Sequence, residues 1–397
     1  VENSRKALAE AAAAFYGFPS KKIRIIGVTG TNGKTSVSFM IKNILEQCGY
    51  KVGLIGTVCN MIGDNKYPAE YTTPDAIELN KLFKEMEEEK VNYVVMEVSS
   101  HSLSQDRVYG IDFAVSVVTN ITSDHMDYYK TAEEYARAKA KLFGMSAISV
   151  LNCQDDYYEL MSENASGHII TYGKECENAD VNAYDALSNI NGVSFNVKTK
   201  EDYYCVHTEI PGCFTIDNAL AAVSVATALK IPAGFIRMAF KKLKGIKGRI
   251  EKVETDRDFS VFIDYAHTPD GLEKIINTIN GFKEGRLITV FGCGGDRDKT
   301  KREVMGKIAS ELSDFVIVTS DNPRTENPAD IINDIIKGIE KDNYKVVLDR
   351  KEAIAFAIET AKKDDIILLA GKGHETYQVL SDGKKEFDER EILRELL

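Results

Sequence analysis

Apolar runs of strand length alternate with amphipathic stretches of helical spacing through the first part of the chain. The runs predict strands at 23–27, 52–56, 93–98 and 113–118. The helical spacing predicts helices at 36–45, 75–89 and 131–143. This alternation is typical of a parallel sheet with helices on both faces. Shorter strand-like runs follow between residues 147 and 210, and helical stretches at 218–229 and 233–243 close this part.

The same alternation starts again after residue 246. Strands are predicted at 261–264, 287–291, 315–319, 345–348 and 366–369, with helices between them. We therefore expect an α/β protein of two domains, residues 1–246 and 247–397. The first is predicted to be a P-loop ATPase-type domain with a mostly parallel sheet. The second is predicted to be a Rossmann-like, doubly wound domain.

Composition narrows the classes of partner. The 397 residues carry a net charge of −11 without a Lys/Arg block, which argues against nucleic acid and membrane surfaces as partners. No apolar run reaches the roughly 18–20 residues of a membrane span, and no signal peptide is visible. The seven cysteines are scattered without a C-x-x-C motif, which indicates reduced thiols. We expect a cytoplasmic protein.

A glycine-rich segment gives the first indication of chemistry. Residues 30–35 read Gly-Thr-Asn-Gly-Lys-Thr and lie between the predicted strand 23–27 and the predicted helix 36–45. A strand, a glycine turn and a helix N-terminus together form a cradle for phosphate, with Lys34 as a point charge and Thr35 as a magnesium ligand. Val28 stands where the usual pattern has its first glycine. The segment predicts binding of a nucleoside triphosphate by Gly30, Thr31, Asn32, Gly33, Lys34, Thr35 and Ser36.

Polar residues at two further strand ends extend this prediction. Glu97 lies at the end of the run 93–98, at the edge of the sheet where open α/β folds bind ligands. We expect it to hold magnesium beside the loop, and a solvated strand-end carboxylate is the alternative. The segment Asp124-His125-Met126-Asp127 follows the run 113–118. There His125 could ligate a metal, contact phosphate or be structural.

In the second half, four strand ends carry polar, turn-forming residues, at 264–270, 291–298, 320–324 and 371–375. We call these four strand ends the rim. Polar residues gathered in this way are typical of a site for a small charged ligand. Arg297 and Arg324 offer planar, bidentate donors for a carboxylate, and Glu375 could hold an ammonium group. A zwitterion such as an amino acid satisfies both.

Together these motifs resemble the Mur ligase family over the whole chain. The motifs are those at 30–35, 97–101, 124–127, 264–269, 321–324 and 371–375. The resemblance implies that the γ-phosphoryl group of ATP passes to the carboxylate of a nucleotide-linked peptide, and that the amine of an amino acid then attacks the acyl phosphate. Phosphoryl transfer depends on charge neutralisation and alignment. The residues implied to supply these, with Mg²⁺, are Lys34, Thr35, Glu97 and His125.

The resemblance also implies roles for residues that composition alone does not single out. Lys139 matches a lysine that is carbamylated on its side chain to N6-carboxylysine, a group that would help to position a second magnesium ion near His125 and act in catalysis. The residues implied to bind the UDP-N-acetylmuramoyl dipeptide are Thr72, Thr73, Ser99, Gln105 and Arg107. The further ATP contacts implied are Asn218, Arg249, Asp264 and His267.

The segment Asp321-Asn322-Pro323-Arg324 is similar to the signature of family members that add meso-diaminopimelate. This amino acid has a second carboxylate, which lysine lacks, and Arg324 would pair with it, with Arg297 also in reach. An unpaired buried arginine is costly, so Arg324 should reject lysine. Gly371 and Glu375 would hold the distal ammonium group. The implied amino-acid site is therefore Arg297, Asp321, Asn322, Pro323, Arg324, Gly371 and Glu375.

Other functions stay open at this point. Full-length members of the family carry an N-terminal UDP-binding domain of roughly 90–100 residues, and we expect a chain that lacks it, since Val1 begins about where that domain ends. The alternatives are a lysine-adding, D-alanyl-D-alanine-adding or folylpolyglutamate synthetase-like ligase, and a catalytically silent nucleotide-binding fragment. The segment 321–324 argues against the first group. We expect a monomer whose domains close around ATP, the muramyl dipeptide and the amino acid.

Overall fold

The protein, described from a computed structural model over residues 1–122 and 128–397, divides into two compact units. The first contains residues 1–187, 193–209 and 214–244, and the second contains residues 188–192, 210–213 and 245–397. The division after Lys244 lies close to the expected domain boundary at 246. No helix within the described ranges is both long and apolar enough to cross a bilayer.

The first unit is built on a large sheet. Its elements as far as the sixth strand are α1 (Ser4–Phe15), β1 (Arg24–Thr29), α2 (Lys34–Gln47), β2 (Val52–Ile55), β3 (Asn60–Ile62), β4 (Asn65–Tyr67), α3 (Ala76–Glu88), β5 (Tyr93–Glu97), α4 (Ser100–Ser104) and β6 (Phe113–Val118). The remaining elements are α5 (Ala132–Ala140), β7 (Ile148–Asn152), α6 (Tyr158–Glu163), β8 (His168–Lys174), β9 (Val181–Asn189), β10 (Gly192–Lys198), β11 (Tyr203–Thr208), α7 (Cys213–Ala228) and α8 (Ala233–Lys242).

The strand order explains where the first unit can bind a ligand. The sheet has eleven strands in the order β11-β10-β9-β8-β7-β6-β1-β5-β2-β3-β4. β1 lies in the interior of the sheet and pairs in parallel with β5 and β6. Its residues Ile25, Ile26 and Val28 are fully buried, because helices cover both faces of a parallel sheet. The carboxyl ends of β1, β5 and β6 therefore meet at one edge.

The second unit has a smaller sheet. Its elements are β12 (Glu251–Val253), β13 (Ser260–Asp264), α9 (Pro269–Asn280), β14 (Leu287–Phe291), α10 (Thr300–Leu312), β15 (Phe315–Val318), α11 (Pro328–Ile336), β16 (Tyr344–Val346), α12 (Arg350–Thr360), β17 (Ile366–Ala370), β18 (Tyr377–Leu380), β19 (Gly383–Glu386) and α13 (Glu389–Leu396). The six-stranded sheet runs β12-β13-β17-β14-β15-β16, and only the β12–β13 pair is antiparallel. The four predicted polar strand ends consequently lie side by side.

A buried ion pair attaches the last helix to this sheet. The Arg350 and Glu389 side chains are both completely buried, and Arg350 Nε donates to Glu389 Oε1 at 2.8 Å. Arg350 Nη2 also donates to the carbonyl oxygen of Ala370 at 2.9 Å, at the end of β17. The start of α13 is thus connected through one guanidinium group to the strand that precedes Gly371.

The expected α/β class with mostly parallel sheets is confirmed, and the corrections concern element ends and elements that were not predicted. The helix predicted to reach residue 143 ends at Ala140, because the chain tightens into a 3₁₀ turn at Phe143–Met145 that buries Phe143. The strand predicted at 345–348 ends at Val346. This edge strand is short, and Leu348 is half exposed. The short β3–β4 hairpin, β9 and α1 were not predicted.

Candidate active site

Two glycines allow the loop after β1 to fold tightly. Gly30 and Gly33 have φ angles of 140° and 84°, which side-chain-bearing residues rarely adopt. A Cβ atom on Gly30 would lie 1.9 Å from Thr119 Oγ1 at the end of β6, and one on Gly33 would lie 2.2 Å from Asn218 Oδ1 on α7. Space as well as backbone conformation therefore requires glycine at both positions. The loop is held directly against the end of β6 and the predicted ATP contact Asn218.

The segment after β6 fixes the loop by hydrogen bonds. Asn32 N donates to Asn120 Oδ1 at 3.1 Å, and Asn120 Nδ2 donates to the Asn32 carbonyl oxygen at 3.1 Å. Thr119 Oγ1 donates to the same carbonyl at 2.5 Å. Thr31 Oγ1 donates to the Thr122 carbonyl oxygen at 3.1 Å. The loop is thus held in one conformation at the N-terminus of α2, where backbone N–H groups and the helix dipole favour phosphate.

Two lysines converge on this loop. Lys34 Nζ donates to the carbonyl oxygens of Gly30 and Thr31 at 3.0 and 2.9 Å. Lys139 Nζ, from α5, donates to the Gly30 carbonyl at 2.8 Å and lies 4.6 Å from the centre of the Tyr135 ring. Only 1% of Lys139 is exposed. A lysine that composition would assign to the surface is therefore an interior residue beside the phosphate loop.

Glu97 ends β5 next to the strand that leads into the loop. It is the register partner of Val28 on β1, and it is 1% exposed. From the residues that the structure describes, each carboxylate oxygen of Glu97 accepts one hydrogen bond and keeps capacity for a further ligand. Together with the buried hydroxyl of Thr35 on α2, these oxygens are the hard donors that Mg²⁺ prefers. The donor set fits a magnesium ion.

Thr57 was missed by the sequence analysis. Its N–H and Oγ1 donate to Glu97 Oε1 and Oε2 at 3.1 and 2.9 Å. Its hydroxyl also lies 3.0 Å from Thr72 Oγ1. Thr57 follows β2, so the rule that identified Glu97, a polar residue just after a predicted strand, would have found it. It orients the carboxylate and links it to the predicted dipeptide-binding residue Thr72.

The other predicted dipeptide-binding residues form a network on Thr73. Thr73 Oγ1 donates to the Glu97 carbonyl oxygen at 2.8 Å and accepts from Ser99 N at 3.1 Å. Arg107 Nη1 donates to the Thr73 carbonyl at 2.9 Å, and Arg107 Nη2 donates to Gln105 Oε1 at 2.7 Å. The structure therefore brings together all five residues predicted for this substrate. By contrast, His125 and its segment 124–127 lie outside the described residues.

In the second unit, three predicted ATP contacts surround one tyrosine. The Arg249 guanidinium lies 5.0 Å from the Tyr265 ring centre, and the His267 ring lies 4.5 Å from it. Asp264 is buried and accepts two backbone N–H groups at 2.7 and 2.9 Å. Burial raises the pKa of Asp264, opposed by the nearby charge of Arg249 and by these hydrogen bonds.

The rim, which is predicted to bind the amino-acid substrate, contains a residue in an unusual backbone conformation. Arg324 has a φ of 53°, in the left-handed region, which often marks strain at functional sites. Its Nη1 donates to the Gly295 carbonyl oxygen at 2.7 Å, and its backbone N–H donates to the Val379 carbonyl oxygen at 2.9 Å. Arg297, the second predicted carboxylate partner, is exposed in the neighbouring loop. The loops after β14 and β15 thus present their arginines at one edge of the sheet.

Lys372 is a second residue that the sequence analysis missed. It is completely buried, and its Nζ lies 3.2 Å from Asn322 Oδ1, 3.1 Å from Glu375 Oε2 and 3.7 Å from Asp321 Oδ1. Asn322 Nδ2 also donates to Glu375 Oε2 at 2.9 Å. Asp321, Asn322 and Glu375, all predicted to bind the amino-acid substrate, therefore surround one buried ammonium group. The only sequence signal was the position of Lys372 between two glycines of a predicted strand-end motif.

Comparison with known proteins decides the family. The profile of the Mur ligase middle domain matches residues 28–226, and the profile of the Mur ligase, glutamate ligase domain, matches residues 248–373. The chain belongs to the Mur ligase family. It is 51% identical to the UDP-N-acetylmuramoyl-L-alanyl-D-glutamate–2,6-diaminopimelate ligase of Clostridium botulinum, over 100% of this chain and 82% of that protein. The Mur ligase resemblance predicted from the motifs is confirmed.

Further relatives and solved structures are also similar to this chain. The ligase of the same name from Bacillus licheniformis is 43% identical over 99% of this chain and 82% of its own length. A solved structure of such a ligase superposes with a TM-score of 0.72 at 33% identity, over 98% of this chain and 82% of that chain. Mycobacterium tuberculosis folylpolyglutamate synthase, complexed with ADP and AMPPCP, gives a TM-score of 0.78 at 18% identity, over 92% of each chain. That last likeness concerns the fold alone.

For this Mur ligase we expect Lys372→Met to lower the free energy of unfolding by about 3–5 kcal/mol, because it leaves the buried Asp321 and the partly buried Glu375 without their cation. Urea unfolding of both proteins measures the difference. Lys363→Met removes an exposed lysine from the same unit and should change stability by less than about 0.5 kcal/mol. Equal unfolding midpoints for Lys372→Met and the unmodified chain would contradict the structural role of Lys372.

Proposed function

We propose that the chain adds meso-diaminopimelate to UDP-N-acetylmuramoyl-L-alanyl-D-glutamate, at the expense of ATP, in peptidoglycan synthesis. The observation that carries this proposal is the 51% identity, over the whole chain, to a ligase with that name. The nucleotide loop, the network around Glu97 and the arginine-bearing rim supply the groups that such a reaction requires.

The first step is transfer of a phosphoryl group. The oxygen of the substrate carboxylate attacks the γ-phosphorus of ATP, the bond from that phosphorus to the bridging oxygen breaks, and ADP leaves. Gly30, Gly33 and the N-terminus of α2 would hold the phosphates through backbone N–H groups, and Lys34 would neutralise charge. Thr35 and Glu97 would hold Mg²⁺, which supplies further neutralisation of the phosphate charge. Thr73 and Arg107 would position the carboxylate.

Lys139 has a separate role in this proposal. Its buried Nζ would first lose one proton to become a neutral amine, then bond to the carbon of CO₂ and lose a second proton, so that the cation becomes an anionic carbamate. An anion beside Lys34 and the Gly30 carbonyl would supply oxygen ligands for a second Mg²⁺, with His125 as the proposed partner. The interior position of Lys139 supports this role because a carbamate formed there would lie directly beside the loop.

The second step forms the amide. The neutral amine of the amino acid attacks the acyl carbon, a proton is released, and phosphate leaves with the electrons of the carbon–oxygen bond. Arg324 and Arg297 would bind the distal carboxylate of meso-diaminopimelate, and Glu375 with Gly371 would bind its distal ammonium group. Asp321, Asn322 and Pro323 shape the same loop. Asn218, Arg249, Asp264 and His267 are proposed as further ATP contacts.

The test is to incubate the chain with MgATP and the nucleotide dipeptide, together with meso-diaminopimelate, L-lysine, D-alanyl-D-alanine or no acceptor. Mass spectrometry of the nucleotide product and an ADP assay give the result. We expect a product heavier by diaminopimelate less water, and ADP formation that requires both substrates. A lysine adduct, ADP release without either substrate, or nucleotide binding without any turnover would each overturn the proposal.

A further inference from the structure

Two cysteines are in contact near the segment after β6 that holds the nucleotide loop. Cys153 follows β7 and Cys176 follows β8, and their sulfur atoms lie 3.1 Å apart. Both are free thiols and both are partly exposed. Because the sulfurs of a disulfide lie about 2.0 Å apart, an approach of about 1 Å would allow a bond between them.

The backbone holds both cysteines in this position. Cys153 N donates to the Tyr172 carbonyl oxygen at 3.0 Å, and Cys176 N donates to Asn182 Oδ1 at 3.0 Å. Gly173 leaves the space that the two side chains fill, because a Cβ atom there would lie 2.9 Å from both Cys153 Sγ and Cys176 Cβ. The backbone hydrogen bonds and the glycine thus place the two side chains next to each other.

The turn that carries Cys153 also supports the loop. Asp155 Oδ2 accepts from Ile121 N at 2.9 Å. The Tyr172 hydroxyl donates to the carbonyl oxygens of Val118 and Thr119 at 2.8 and 3.1 Å. Thr119 in turn donates a hydrogen bond to Asn32 in the phosphate loop. The residues around the cysteine pair therefore contact the segment that supports this loop.

We propose that Cys153 and Cys176 are a thiol oxidation site that forms a reversible intramolecular disulfide. The co-reactant is a low-molecular-weight disulfide. The thiolate of one cysteine attacks a sulfur of the reagent and releases one thiolate. The second cysteine loses its proton and attacks the mixed disulfide, which releases the other thiolate. Two protein thiols and one reagent disulfide thus become one protein disulfide and two reagent thiols.

The contact between the two sulfur atoms allows either cysteine to resolve a mixed disulfide on the other. Burial, with the neighbouring Cys176 thiol, raises the pKa of Cys153 to about 12. Each single variant, Cys153→Ser or Cys176→Ser, should retain a mixed disulfide on its remaining cysteine and should form no Cys153–Cys176 linkage.

The test uses the whole chain, treated with excess oxidised glutathione or with dithiothreitol. A thiol assay should count five thiols after oxidation and seven after reduction, and peptide mapping should find the Cys153–Cys176 linkage. The oxidised chain should unfold about 4 °C higher, because a cross-link restricts the unfolded chain. Cys205→Ser removes an exposed cysteine elsewhere and should still form the linkage. Seven remaining thiols, glutathione adducts alone, or a linkage between other cysteines would overturn the proposal.

Discussion

Replacement of Lys139 by alanine is expected to lower kcat about 10³-fold, since loss of one charged group at the transferring phosphoryl has effects of this order. The loop and Lys34 remain, so nucleotide affinity should change much less than kcat. Steady-state kinetics in bicarbonate buffer and a separate nucleotide titration measure the two quantities. Short carboxylic acids added to the Lys139→Ala variant should restore part of the rate, because they can replace the carbamate oxygens.

Lys141→Ala is the matched control for this experiment, because Lys141 follows the same helix and is exposed. It should keep the rate of the unmodified chain. A thermal melt of Lys139→Ala separates lost catalysis from lost folding, since the variant also leaves a cavity beside Tyr135. Full activity of a folded Lys139→Ala chain without added carboxylate would contradict the carbamate role.

Replacement of Arg324 by alanine is expected to reduce kcat/KM for meso-diaminopimelate about 10²–10³-fold, because the distal carboxylate would lose its proposed charged partner. The rate with L-lysine, which lacks that carboxylate, should stay the same or rise. Preference for meso-diaminopimelate should therefore fall by at least the same factor. Competition between the two amino acids, followed by product mass spectrometry, measures the preference in one reaction.

Arg257→Ala serves as the control, because Arg257 is an exposed arginine of the same unit outside the rim. It should leave both rates unchanged. Unaltered use of meso-diaminopimelate by Arg324→Ala would exclude Arg324 as the determinant of specificity. In that case Arg297, in the neighbouring loop, would be the next residue to replace.

Patterns within short stretches of the sequence were sufficient to predict the phosphate loop and the main strands. The strand, glycine and helix signals around Gly30 and Lys34 are contiguous in the sequence, and the apolar runs of β1, β5 and β6 are buried on both sides. β9 escaped prediction because its burial changes along the strand, from three buried residues to mostly exposed ones, so it shows no regular alternation. The N-cap signal of α1 was present in the sequence, since Asn3 accepts from the N–H groups of two following residues.

Contacts between distant segments could not be derived from spacing. Thr57 and Glu97 are 40 residues apart, and Lys372 and Asn322 are 50 apart, so only the folded sheet brings them together. Composition likewise places Lys139 on the surface, because charged neighbours surround it in the sequence. Its burial depends on α5 packing against the loop. The resemblance to a family, and no property of the segment itself, drew attention to this lysine.

The guanidinium group of Arg350 has a consequence for protein engineering. It joins Glu389 on α13 to the backbone of Ala370, one residue before the glycine predicted to contact the amino acid. Deleting that helix would strand a positive charge in an apolar interior and release the end of β17. A truncation that removes α13 should therefore loosen the backbone at Ala370, directly before Gly371.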